Sequence, residues 1–355
     1  MPDVKLEPID PKDRESPAEP GGHGPLGLFL ALLAAMPIIL AGSFYGVAAH
    51  KFFSSLLNDE AARSSGLMLW SFLFGVPVCM GFLVGFLARR RRNAGLAGAG
   101  LLSMLSTLLF IFAGGALLRE GSICIVMALP LLLILGVLGA ILGAIGSAFS
   151  KDDGPKLLSV ALLLPLVLGS VEAGMDNATV SQRVVRSVLI QAAPETIWQH
   201  INFPLAIAPS ELEGGIAYRM GVPFPVEART LQGRIGGERA LVWQRGIRFR
   251  EVITDWQPQR YIGWRYEFAP DSFPPGSLDD HVVIGGRYFG LDDTAYALTP
   301  ESGGTRLTIT VNSHVRTHFN WYAGWWAHWL VTDTADTILK FYKRRSESSA
   351  APAGA

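Results

Sequence analysis

The sequence predicts two unlike parts: an α-helical transmembrane bundle of about five spans over residues 25–174, then an α+β domain over residues 180–345. Three observations carry this. Long apolar runs crowd the region before Gly174. Beyond Asp176 the pattern turns to short β-branched segments separated by Gly and Pro, as an antiparallel meander requires. The last is a proline-free stretch, His318–Arg345, rich in large aromatics, which reads as one long helix. Strands followed by such a helix imply a helix laid over a curved antiparallel sheet.

Half of the 355 residues are hydrophobic and only 17% are charged, too apolar for an ordinary soluble chain. No large basic patch argues for nucleic acid. Cys79 and Cys124 both sit in apolar runs, and by themselves make neither a disulfide framework nor a zinc site.

Residues 1–24, rich in Pro, Asp, Glu and Gly, are expected to be a disordered tail, and their long, mixed charge is not that of a signal peptide. Spans are expected at 26–49, 66–88, 94–118, 123–149 and 157–171. The last is shorter than the roughly 20 residues a bilayer needs, and an interfacial or re-entrant piece is its alternative. Arg89–Arg92 follow the second run directly, and positive loops stay cytoplasmic. The N-terminus is then cytoplasmic. If 157–171 spans, the second half is extracytoplasmic; if it does not, the second half is cytoplasmic. A bacterial cytoplasmic membrane is the expected location. Gly139 and Gly143 suit close helix packing, within the chain or, alternatively, between two copies in a homo-oligomer. Pro77, Pro130 and Pro165 are expected to kink their spans. The spans lack internal charge, which weighs against an ion-coupled transporter.

In the second half, strands are expected at Arg183–Gln191, Ala228–Ile235, Ala240–Trp243, Phe249–Trp256, Tyr261–Phe268, Tyr288–Leu298 and Thr305–Val315. Pro194 opens a helix whose apolar side is Ile197, Trp198 and Ile201. Gly303-Gly304 marks a hairpin turn. Residues 346–355 are expected to be a disordered tail.

Three segments, SVLIQAAPETIWQHI (Ser187–Ile201), VITDWQPQRYIGWRYE (Val252–Glu267) and YALTPESGGTRLTITV (Tyr296–Val311), together with the closing helix, resemble the START-like or SRPBCC superfamily. That superfamily includes polyketide cyclases, START lipid-transfer domains and plant pollen allergens. The resemblance covers Arg183–Arg345, and the fused membrane half is similar to a membrane-anchored bacterial subgroup. It implies a deep, mostly apolar cavity between sheet and helix that holds a lipid or other hydrophobic molecule. The cavity candidates it suggests are Trp321, Trp325 and Trp329, which share a helix face, with Trp198, Tyr288, Arg250 and Arg265. No catalytic residue, metal or cofactor is expected.

Each candidate has a plainer reading. Tryptophans at helical spacing are usually core, and they also favour membrane interfaces. Among Arg219, Arg229, Arg234, Arg248, Arg250 and Arg265, one or two can pin a carboxylate or phosphate. The rest are expected to pair across strands with Glu227, Glu238, Glu251 or Glu267. Asp333 and Asp336 lie three apart and suit acid/base work or a solvated helix face. His314, His318 and His328 lack metal-ligand spacing. The expected function is a membrane-anchored module that binds a hydrophobic molecule for transfer or sensing. A cyclase or hydrolase, or a partner-binding domain with a filled core, are the alternatives. A dry apolar cavity with one convergent polar group favours binding; several polar groups with perturbed pKa values favour catalysis.

Overall fold

Apolar runs with no backbone partner outside themselves must satisfy their own N–H and C=O groups, and the first half of the chain does so as helices. The computed structural model describes residues 25–55, 65–118, 121–149, 154–172, 175–279 and 281–350. The expected tail at 1–24 lies outside them. The helices are α1 (Pro25–Ser55), α2 (Val76–Arg92), α3 (Leu96–Ala113), α4 (Ser122–Phe149) and α5 (Gly154–Glu172). Among the described residues, four stretches are long and apolar enough to cross a membrane: Phe29–Ser55, Ser71–Arg92, Leu96–Ala116 and Ser122–Phe149. The second opens with a π-helical turn, Ser71–Gly75. It stands just before Pro77, whose missing N–H cannot bond the preceding turn.

Close backbone approach holds α2 to α4. A Cβ on Gly81 would overlap the Gly136 carbonyl, and one on Gly85 the Ala140 carbonyl. A Cβ on Gly139 or Gly143 would in turn overlap the carbonyls of Val78 and Phe82. The small-residue pair read from the sequence is therefore filled within the chain. Buried hydroxyls add cross-helix bonds: Ser43 donates to the Ser106 carbonyl at 2.8 Å, Ser106 to the Ile39 carbonyl at 2.9 Å, and Ser103 to the Gly136 carbonyl at 2.8 Å. Helix α5 lies against α1 and α2. The Tyr45 hydroxyl donates to the Leu162 carbonyl at 2.9 Å, and a Cβ on Gly75 would come within 2.9 Å of Pro165.

The second half is a seven-stranded antiparallel sheet, β1 (Val180–Ile190), β2 (Pro225–Thr230), β3 (Glu238–Trp243), β4 (Arg248–Gln257), β5 (Tyr261–Glu267), β6 (Phe289–Glu301) and β7 (Gly304–Val315), in the order β1-β7-β6-β5-β4-β3-β2. Between β1 and β2 come α6 (Pro194–Asn202) and the single turn α7 (Ile216–Arg219). The closing helix, α8 (Asn320–Ala350), lies across β1 and β7. Period-two alternation is cleanest in β7, where every second residue from Thr305 to Val315 is buried. Of these, Leu307, Ile309 and Val311 meet Ile190, Ile197, Ile262 and Tyr296 and, from α8, Val331, Ala335 and Leu339 in one core.

Among the boundaries that differ from the sequence reading, two have a clear physical cause. The strand expected to run to Ile235 stops at Thr230, because Gly236 turns at φ +73° and Leu231 and Ile235 face solvent. The expected C-terminal tail is helical through Ala350, since Ser346 is fully buried and Glu347 accepts the Gln191 N–H at 2.9 Å and Lys343 Nζ at 2.8 Å. Residues 351–355 lie outside the described residues.

Candidate functional site

Between the sheet, α8 and the heads of the membrane helices lies a cavity of about 370 Å³, within the range of small-molecule sites. The sheet supplies Leu241, Tyr266, Thr294, Ile309 and Val311 to its wall. Helix α8 supplies Tyr322 and the small or aliphatic residues Ala327, Val331, Ala335 and Ile338, displaced around the helix from the tryptophan stripe. The helical first half supplies His50, Phe72, Leu73, Phe110 and Met127. One wall is thus built by helices long enough to cross a bilayer, the other by a folded sheet.

A buried ion pair, Arg239 with Glu251, interrupts this mostly apolar lining. Arg239 and Glu251 are register partners on β3 and β4, and their side chains are 2% and 3% exposed. Arg239 donates from Nη1 to Glu251 Oε2 at 2.8 Å and from Nη2 to the Ile201 carbonyl at 2.8 Å. Its guanidinium carbon lies 4.1 Å from the Trp264 ring centroid, a cation–π contact. Among the described residues its Nε has no hydrogen-bond partner. Burial pushes the Glu251 carboxyl up to about 7, against the pull of the Arg239 charge. Burial likewise raises the Tyr266 phenol, which is hydrogen-bonded to Thr294 at 2.8 Å.

The structure distributes the sequence-predicted residues unevenly. Tyr288 lines the cavity. Trp321 and Trp325 are 61% and 59% exposed and stand outside it. The first turns of α8 instead meet the head of the second apolar stretch, with the Trp321 ring 6.5 Å from Trp70 and 6.0 Å from Phe74. Trp329 packs edge-on against Trp326, and Trp198 against Trp256 under the core; neither reaches the cavity wall. Arg250 and Arg265 point to the opposite face of the sheet, where Arg250 pairs with Glu238 at 3.1 Å and Arg265 with Glu267 at 3.0 Å. Glu251 pairs inward with Arg239, not with a surface arginine.

Asp333 and Asp336 do not act together: Asp333 accepts the Ala217 N–H at 2.8 Å, and Asp336 takes Arg186 in a fork at 2.7 and 2.9 Å. His314 turns to Asp292 at 2.6 Å, and His318 lies 3.7 Å from Glu172. Arg239 was missed by the sequence reading, yet a signal existed. It sits in register with Leu241 on the inward face of β3, as Glu251 sits between Phe249 and Ile253 on β4. A charge at an inward position of each of two neighbouring strands is the pattern of a buried pair.

No protein-family model matches the chain, and no curated protein matches it. Solved structures resemble its second half. They include protein MLL2253 of Mesorhizobium loti, 12% identical, spanning 47% of this chain and 98% of its own, with a TM-score of 0.30. Protein NE0264 of Nitrosomonas europaea is 14% identical over 47% of this chain and 96% of its own, at 0.29. Protein BH1534 of Bacillus halodurans is 14% identical over 49% and 100%, at 0.30. Such scores license nothing about activity.

Proposed function

We propose that the chain is a membrane-anchored START-like binding module that takes a lipid or similar hydrophobic molecule from the bilayer into its cavity, for transfer or sensing. The observation that carries this is the shared wall: spanning-length helices and the concave sheet enclose one mostly apolar space with the Arg239–Glu251 pair inside it. An amphiphile suits that space, with its apolar body along α8 and its polar head at Arg239. A ligand that moves between bilayer and cavity without crossing bulk water avoids exposing its apolar surface.

The reading includes five spans. Support for the fifth is that α5 packs beside α1 and α2, and that its terminal Glu172 accepts the backbone N–H groups of Trp70 and Ser71 at 2.6 and 2.9 Å. The end of α5 and the head of the second span therefore share one side. Arg89–Arg92 end α2 at the far side; because positive loops stay cytoplasmic, this supports a sheet outside the cytoplasm. Trp321, Trp325 and Trp70 then form part of an aromatic belt at the membrane surface.

The test is native mass spectrometry of the detergent-purified protein, with lipid extraction and re-addition. The expected result is a co-purifying hydrophobic molecule that Val331→Trp, which fills the cavity, excludes while the protein still elutes folded. Recovering none, and seeing no binding on re-addition, sinks the proposal. A reporter fused after Arg345 should be active only outside the cytoplasm.

A further inference from the structure

Where the loop between β5 and β6 meets the head of α4, three potential ligands converge: Cys124 from the membrane half, and Asp279 and His281 from the loop. Their donor atoms all lie within 4.8 Å of one another. The cluster is well built. Asp279 Oδ1 accepts the His281 backbone N–H at 2.9 Å and lies 2.8 Å from His281 Nδ1, while Oδ2 accepts the Gly121 N–H at 2.8 Å. A Cβ at position 121 would overlap the Asp279 carboxylate, so only glycine lets the backbone approach it. The Tyr288 ring stacks on His281 at 6.3 Å between centroids. The side chains of His281 and Asp279 are 10% and 7% exposed.

We propose that Cys124, Asp279 and His281 form a divalent-metal site that clips the β5–β6 loop to α4. A tetrahedral site with ligands about 2.0–2.3 Å from the metal separates its donors by roughly 3.5 Å, so the cluster closes onto an ion with shifts of about 1 Å. One thiolate, one imidazole and one carboxylate suit zinc and its neighbours, not the oxygen-seeking magnesium or calcium. The charges favour it too. A thiolate and a carboxylate together carry two negative charges, which a divalent ion neutralises in a place poorly exposed to water. Cys124 and His281 also line the cavity, so the clip stands at its wall on the membrane side. Binding of metal would fix that wall, joining two segments far apart in the chain. The site does not depend on what the cavity holds.

The experiment uses the full chain in detergent, stripped with a chelator and titrated with Co²⁺. The expected result is one Co²⁺ per chain, with the tetrahedral visible spectrum and a sulfur-to-cobalt charge-transfer band that Zn²⁺ abolishes. Cys124→Ala should lose that band and Cys79→Ala should keep it. Because Cys124→Ala can disturb packing, His281→Gln and Asp279→Asn are titrated alongside; each should weaken Co²⁺ at least about tenfold. Zn²⁺ should raise the melting temperature of the wild type and leave that of Cys124→Ala unmoved. No band in folded wild-type protein overturns the proposal. So does a band that survives Cys124→Ala, or unchanged affinity in both His281→Gln and Asp279→Asn.

Discussion

The two halves are packed on opposite principles. In the helical first half, α2 and α4 meet through glycines, backbone against backbone, while serine hydroxyls bond α1 to α3 and α3 to α4. In the second half the contact is made by large side chains: Ile190, Ile197, Ile262, Leu307 and Leu339 fill the space between sheet and helix. The difference is what the proposed lipid surroundings of the first half would require. Lipid tails are as apolar as leucine, so burying side chains there gains little, and close contact and hydrogen bonds must hold the helices. In water, apolar area removed from solvent is the main drive. The halves also treat polarity differently: hydroxyls suffice in the bundle, whereas the second half buries a full ion pair.

The strongest way to break this contrast is at Gly81. Gly81→Leu drives a side chain into the Gly136 backbone, which cannot move aside as a side chain does. The expected outcome is loss of the folded bundle, seen as aggregation on size-exclusion chromatography in detergent. Gly114→Ala is the comparison, since no atom stands within 4 Å of its new Cβ; it should elute and melt as wild type. Tolerance of Gly81→Leu would mean that α2 and α4 are not held by backbone approach.

The next effect concerns the ion pair. Arg239→Ala leaves the Glu251 carboxylate buried without its partner, which costs about 3–5 kcal/mol where a buried pair is broken on one side. The measurement is the melting temperature at pH 8. Replacing both partners with apolar residues, Arg239→Met with Glu251→Leu, should recover most of that loss, because the desolvation penalty goes with the charges. If the double variant melts as low as the single one, the pair contributes through something other than charge balance.

A smaller effect is the pH dependence of Glu251. Its folded-state carboxyl is raised by burial from 4.5 to about 7. The folded state therefore holds a proton that the unfolded chain releases, and stability falls as pH rises from about 4.5 to about 7. Below that window the contribution is fully present; above it, it is lost. The unfolding free energy of the wild type relative to Glu251→Gln, followed from pH 5 to 8, should fall as pH rises, by on the order of 1–3 kcal/mol. A pH-independent difference would show that Glu251 does not titrate with a raised pKa in that window.

What the sequence disclosed follows the same division. Length and hydropathy were enough for the apolar helices, and period-two alternation with Gly and Pro turns was enough for the strands, because both signals are local. The hairpin at Gly303-Gly304 and the helix at Pro194 were legible for that reason. The site was less so. Trp321 and Trp325 share a face, but a stripe does not say which neighbour it meets, and the first turns of α8 rest on the membrane helices rather than the sheet. The cavity wall falls to Val331, Ala335 and Ile338, whose modest size leaves room. Cys124 gave no sign of its neighbours, since Asp279 and His281 are distant in sequence and only the fold joins them.

The smallest expected effect tests whether position on the sheet, rather than residue type, decides what an arginine does. Arg250 and Arg239 sit on adjacent strands and each pairs with a glutamate at about hydrogen-bond distance, 3.1 and 2.8 Å. Arg239 is buried; the Arg250 side chain is 57% exposed, and water screens its pairs with Glu238 and Glu267. Exposed pairs are typically worth about 0–1 kcal/mol, part of which is spent on ordering two long side chains. Arg250→Ala should therefore shift the melting temperature little, and high salt should erase what shift there is. It should also leave recovery of a hydrophobic ligand at the wild-type level, since Arg250 faces away from the cavity. A loss of ligand on Arg250→Ala would return that residue to the site the sequence first suggested. A loss on the Arg239 double variant alone would make the inward face of β3 and β4 the place where a polar head is held.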